Sequence, residues 1–365
     1  MQFNSIIVRS LVATSLFLSL NACNSETEVV VPAQPYDAGV FVVNIGNFTD
    51  NNGSISLYNP TTKTISNDVF QKENTRSLSG LVMGYAEVAD KGIILVDNST
   101  NGNDAIEIVS ASTFKSVATI KDVENPRSVI KAGTNKAYVV CWDTFNPDYS
   151  YKLGYIAVID LTTNKITKKI PVQNGAEGIV IVGNEAFIGN TSFSGINSIS
   201  VVDITKDEVS GNIPVQGAAA SFVVDANNKV WCTVGSEILR INPTSKIVEA
   251  RLKVSSKPSS SPNNLTLNAN KTVIFFDYSY EDYADNSRKK GEIYSFNITD
   301  ATISTTTPLI KRAFTGFAFD VKNGIIYAGL TPSYKQAGYV IRYQPSGALI
   351  DSIKTEVGPS GFFFK

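Results

Sequence analysis

Residues 158–173 read VIDLTTNKITKKIPVQ, and residues 201–216 read VVDITKDEVSGNIPVQ. At this constant offset of 43 residues, Val158/Val201, Asp160/Asp203, Thr162/Thr205 and the closing Ile-Pro-Val-Gln of both stretches are identical. Each stretch is a short apolar strand, a four-residue polar turn and a second strand with alternating polarity. That is a β-hairpin, and its return at a fixed period is the mark of a repeat architecture.

Short apolar segments opening successive units follow along the chain: Leu81-Val82, Val129-Ile130, Ile179-Val180, Phe222-Val223, Leu265-Thr266, Phe317-Ala318 and Phe362-Phe363. Their first residues are 48, 50, 43, 43, 52 and 45 apart. A period of this length, with about four short strands per unit and no helical pattern, predicts an all-β fold, a seven-bladed β-propeller. The first unit opens at Gly39-Val40-Phe41-Val42-Val43 and lacks an innermost strand, whereas Gly361-Phe362-Phe363-Phe364 is an innermost strand with no unit after it. Pairing the two fragments closes the ring and removes the exposed sheet edges.

The N-terminus reads as a targeting segment. Arg9 precedes an apolar run from Leu11 to Leu20, too short to span a bilayer and about the length of a signal-peptide core. The sequence Leu20-Asn21-Ala22-Cys23 resembles the bacterial lipoprotein signal, which implies cleavage after residue 22 and a lipid on Cys23. An ordinary signal peptide cut near Ala22 is the alternative. The expected organisation is a signal peptide over 1–22, a lipidated cysteine and flexible tether over 23–38, and the propeller over 39–365.

Acidic and basic residues number 33 and 32, without a basic run, which argues against nucleic acid or an anionic membrane surface as partner. Histidine is absent, removing the commonest general base and metal ligand. No dinucleotide fingerprint, phosphate loop or nucleophile elbow occurs, so no cofactor, metal or catalytic residue is assigned. The acidic loop Asp277, Glu281, Asp282 and Asp285 lacks the spacing of a calcium loop and reads as a solvated surface. Cys141 and Cys232 fall on strands of non-neighbouring units and read as buried free thiols.

The expected connections differ between the two rims. Turns between first and second strands, and between third and fourth, are short and polar, and in an up-and-down blade they share one rim. The other rim collects the long segments 44–52, 97–104, 142–154, 189–198, 277–291 and 330–338. Loops on a rigid scaffold present binding groups, so this elaborated face is the expected site. Its aromatics are Phe48, Trp142, Phe145, Tyr149, Tyr151, Phe193, Tyr278, Tyr280 and Tyr334. They offer rigid apolar area at low entropic cost and suit a planar or sugar-like ligand. Arg76, Arg127 and Arg312 lie in inter-blade links, where they either hold ligand oxygens in a central funnel or tie the blades through Glu177 and nearby carbonyls. Asn264 adds an amide to the same funnel.

The repeats, clearest in Val158-Ile159-Asp160-Leu161-Thr162-Thr163-Asn164-Lys165, resemble YVTN-type β-propellers. With the opening Phe41-Val42-Val43-Asn44-Ile45-Gly46-Asn47-Phe48, the chain resembles the propeller lipoproteins of Gram-negative outer membranes, some of which capture cobalamin and pass it to a TonB-dependent transporter. The resemblance implies a non-catalytic, lipid-anchored capture protein for a large small molecule, a corrinoid first and a glycan second. It places the protein at the outer membrane, on its surface or periplasmic side. A protein- or glycan-binding scaffold is the alternative, and a propeller lactonase or lyase a third.

Overall fold

The computed structural model describes residues 34–254, 260–282 and 288–365. Cys23 and the signal segment lie outside the described residues, as does Asp285 of the acidic loop.

The described strands form seven antiparallel sheets, one per blade. Blade one has the spatial order Pro359–Phe364, Val40–Asn44, Ser54–Asn59, Thr64–Ser66. The C-terminal strand thus completes the first blade, pairing Phe364 with Val40 and Phe362 with Val42. The other inner strands are Leu81–Val88, Pro126–Lys131, Ala176–Val182, Ala219–Val224, Ser261–Leu267 and Gly316–Asp320. Each packs against the inner strand of the next blade, and the last packs against Pro359–Phe364, closing the ring.

Buried apolar residues fall into seven clusters, each between two adjacent blades. In Val40–Asn44, Phe41 and Val43 enter the cluster shared with blade two, while Val40 and Val42 enter the one shared with blade seven. Successive side chains leave opposite faces of a strand. A sheet covered on both faces therefore needs an uninterrupted apolar run, which Ile93-Ile94-Leu95-Val96 and Ala137-Tyr138-Val139-Val140 also supply.

The short rim is built by one repeated device. The Asp160 carboxylate accepts the Thr162 N–H at 2.8 Å and that of Asp203 accepts the Thr205 N–H at 2.8 Å. Asn59 and Asn242 do the same for Thr61 and Thr244. The turns close through Lys63, Asn164, Asp207 and Lys246, all at φ between 55° and 59°. Asp and Asn side chains that bond the backbone two residues on are what such turns select.

Three expectations are corrected. A short helix, Val69–Asn74, leads out of blade one, capped where the Asp68 carboxylate accepts the Gln71 N–H, with Val69 and Phe70 buried beneath. Residues 277–282 and 288–291 are not loop: Val273–Asp282 pairs with Arg288–Asn297 as two long antiparallel strands. Among the described residues their sheet has three strands, and at the edge Ile310 bridges to Ile293.

Candidate functional site

Six of the seven inner strands are interrupted by a bulge at the end nearest the elaborated face. The pairing skips Met83, Arg127, Glu177-Gly178, Ala220-Ser221, Asn264-Leu265 and Ser360. An extra residue in one strand re-aims its side chain, and bulges gather beside functional sites for that reason. Arg127, Glu177 and Asn264 all stand at this position, and neighbouring bulges touch. Arg127 Nη1 lies 3.6 Å from Met83 Sδ, and the Ser128 hydroxyl donates to the Glu177 carbonyl at 2.6 Å.

Opposite the bulges, the second strands carry buried polar residues: Asn44, Asp97 and Asn190, each the last of its strand, and Asp277 within Val273–Asp282. Arg127 Nη2 donates to Asp97 at 2.6 Å and to Asn125 Oδ1 at 3.0 Å. Its guanidinium also stacks on the Trp142 ring, 3.6 Å from the centroid. The inter-blade tie of Arg127 is thus with Asp97, rather than with Glu177. Arg127 Nε, Trp142 Nε1 and Glu177 Oε2 are buried without a completed hydrogen bond.

Burial raises the Glu177 carboxyl above the usual carboxylate range, against the opposing pull of Arg127 and a smaller one of the Trp142 indole. Burial also raises Asp97, again against Arg127, with the Asp104 charge adding to the rise. Asp104 and Glu124 are raised by burial as well. Arg127 thus opposes the rise at three of these carboxyls, Glu177, Asp97 and Asp104.

Trp142 sits edge-on to Tyr151 at 5.2 Å, and Phe145 lies 5.1 Å from Tyr151. Phe145 and Tyr151 bridge across the loop, which carries Tyr149 at its tip. Phe48, Phe145, Tyr149, Phe193 and Tyr334 are exposed, Tyr149 and Phe193 by 86% each. All five belong to loops of the elaborated rim, and among the described residues no other aromatic is exposed to this degree.

Asn264, Arg312 and Tyr334 meet around a cavity of about 330 Å³ between blades six and seven. Three other candidates stand elsewhere. Arg76 does not reach the funnel: it donates to Glu107 at 2.7 Å and Ser116 at 3.1 Å, on the outer strands of blade two, and covers Phe70. Tyr278 is fully buried between blades five and six, and Tyr280 packs beside it with its hydroxyl 3.4 Å from Glu292. The hairpin that replaces the expected loop turns these rings inward. Sequence reasoning did not single out Asn44, Asp97 and Asn190, although each is a polar residue ending an apolar run, and that common ending is the signal that finds them.

Cys141 and Cys232 are free buried thiols.

Three solved structures share the architecture. A quinonprotein alcohol dehydrogenase-like protein from Bacteroides thetaiotaomicron is 16% identical with a TM-score of 0.64, over 90% of this chain and 78% of its own. Hydrazine synthase from Kuenenia stuttgartiensis is 13% identical at 0.59, over 76% and 88%. The WD40 domain of Toxoplasma gondii coronin is 12% identical at 0.55, over 75% and 70%. At these identities the likeness establishes the fold alone. No curated protein matches the chain. A family profile does match, over residues 38–357, and the chain accordingly belongs to the family described as a domain of unknown function, DUF5074.

Proposed function

We propose that this propeller is a non-catalytic capture protein, lipid-anchored through Cys23, whose elaborated mouth holds a large, partly planar ligand for transfer to an outer-membrane transporter. The observation that carries the reading is the confinement of the exposed aromatics, among the described residues, to one rim, above a mouth lined by Arg127, Asp97 and Glu177. Exposed aromatic area rimming a polar centre is the composition of a recognition surface, and a preformed scaffold lowers the ordering cost of binding. The cavities along the mouth are small, so a corrinoid would lie across the rim rather than sink into it.

Tyr36 is buried at the opposite rim, its N–H donating to Ser112 O at 3.3 Å, and Lys365 Nζ ties the Tyr36 carbonyl to that of Ala111.

Titration calorimetry with cyanocobalamin tests the corrinoid version. Saturable heat at micromolar ligand is expected, weakened at least ~10-fold in a Tyr149→Ala/Phe193→Ala variant, whose rings are exposed and so are dispensable for folding. Absence of heat removes the corrinoid. The spread of aromatics over four blades also favours a second reading, a rim that docks a partner protein, for which copurification with a transporter is the test.

A further inference from the structure

The cavity between blades six and seven differs in character from the aromatic rim. Its floor is the bulge Asn263-Asn264 with Asp277 and Ser279 of the long hairpin, and its wall is the link running through Arg312 to Thr315. The link lies close because residue 291 is glycine: a Cβ there would stand 2.3 Å from the Ala313 Cα. Tyr334 closes the outer side, its ring half-exposed and 3.4 Å from where a Cβ on Gly358 would be.

What singles out this cavity is that four of the polar groups lining it are not used by the fold. Among the described residues the Arg312 guanidinium makes no ion pair or hydrogen bond, and neither do the Asn264 amide, the Ser279 hydroxyl or the Tyr334 hydroxyl. Asn264 holds its place with φ of 46°, a left-handed conformation that is uncommon for any residue but glycine and that gathers at binding sites. Four unengaged groups from separate segments thus converge on one small space. An arginine with an open fork selects a carboxylate or phosphate. An amide and two hydroxyls, with Asp277 as acceptor, match vicinal hydroxyls, and a half-exposed tyrosine ring offers a face to the C–H side of a pyranose. A volume of about 330 Å³ is at the lower end for ligand cavities and has room for one ring, not a macrocycle.

We infer that this cavity is a subsite for a single sugar ring bearing a carboxylate, the terminal acidic sugar of a glycan. The assignment rests on the capture reading of the same face. Arg312 pairs with the carboxylate, Asn264 and Asp277 take the ring hydroxyls, and Tyr334 covers the ring.

Ligand-observed NMR on the full chain with D-glucuronate, D-glucose and inorganic phosphate tests it. Glucuronate is expected to bind saturably in the millimolar range, with glucose at least ~10-fold weaker. Arg312→Ala should reduce glucuronate to the level of glucose. Asn264→Gly, which keeps the left-handed backbone, should weaken both sugars by a similar factor. Unchanged melting curves show that either variant is folded. Silence of glucuronate at tens of millimolar, or binding indifferent to both substitutions, overturns the subsite. So does phosphate binding as tightly as glucuronate while glucose stays silent, since that describes a plain anion site. The two readings fail separately: cobalamin silent with glucuronate bound removes the corrinoid and keeps the subsite, and the reverse removes the subsite alone.

Discussion

Replacing Arg127 by methionine isolates the electrostatics of the mouth. The side chains of Arg127 and Asp97 are 7% and 6% exposed and meet at 2.6 Å. Removing one partner of a buried pair strands the other charge, at a cost of about 3–5 kcal/mol. At about 2.1 cal/mol/K per residue the unfolding entropy of a chain this long is about 0.7 kcal/mol/K, so Tm should fall by about 4–7 °C. The penalty should depend on pH in a definite direction. Burial already raises the Asp97 carboxyl, and Arg127 is what restrains the rise, so the variant pushes it higher. A carboxyl whose folded value exceeds its unfolded one is unpenalised below the unfolded value of about 3.9, costs increasing stability from there up to the folded value, and costs a constant amount above it. Arg127→Met should therefore be least harmful at acid pH, and its cost should grow as pH climbs from the Asp97 value of the wild type to the higher one of the variant. Asp97→Asn in the same chain removes the stranded charge and should recover part of the loss. Denaturant unfolding of both single variants and the double variant gives the coupling. A single-variant cost below about 1 kcal/mol, a pH-independent cost, or strict additivity would refute the argument.

Gly329→Ala should destabilise the closure of the ring by about 1–3 kcal/mol, because its Cβ would lie 1.9 Å from the Pro359 carbonyl oxygen. Gly211→Ala, where a Cβ meets nothing within 4 Å, is the control in the same melting experiment and should stay near wild type. Burial pushes the Cys141 and Cys232 thiols up to about 12, so a thiol reagent at mildly alkaline pH should label neither in the native protein and both after unfolding. The Asp203 carboxyl, held down to about 2 by the hydroxyl and N–H of Thr205, should show a half-titration near that pH by carbon-detected NMR. Its contribution to stability is complete above the unfolded value of about 3.9 and lost as pH falls through the folded one.

The circular architecture was legible because burial on both faces of each sheet leaves a pattern that local sequence can carry. Residues 40–43 and 93–96 are apolar without a break, and turns such as Thr162-Thr163-Asn164-Lys165 repeat their capping residue. The helix Val69–Asn74 left no such mark: six residues with two buried side chains are too few for a helical period. The hairpin of blade six did leave one. Ile274, Phe276, Tyr278 and Tyr280 alternate along Val273–Asp282 and all pack toward blade five, and that period of two outweighs the polar residues that made the segment read as a loop.

The bulges explain why the site was only half legible. Arg76 and Arg127 look equivalent as arginines in inter-blade links, yet the strand register aligns Pro126 with Leu81, so the counterpart of Arg127 is near Val82 and Met83. Arg76 falls six or seven residues too early and turns to Glu107. An extra residue in a strand is invisible until its partner is known, since it changes pairing rather than composition. Once placed, it sets the chemistry of the mouth one side chain per blade: thioether at Met83, guanidinium at Arg127, carboxyl at Glu177, amide at Asn264. Blade seven alone pairs without interruption, from Gly316↔Gly329 to Asp320↔Ile325. Its polar lining comes instead from the link at Arg312 and the loop at Tyr334, outside the inner strand, and it is there that the cavity with unengaged groups lies.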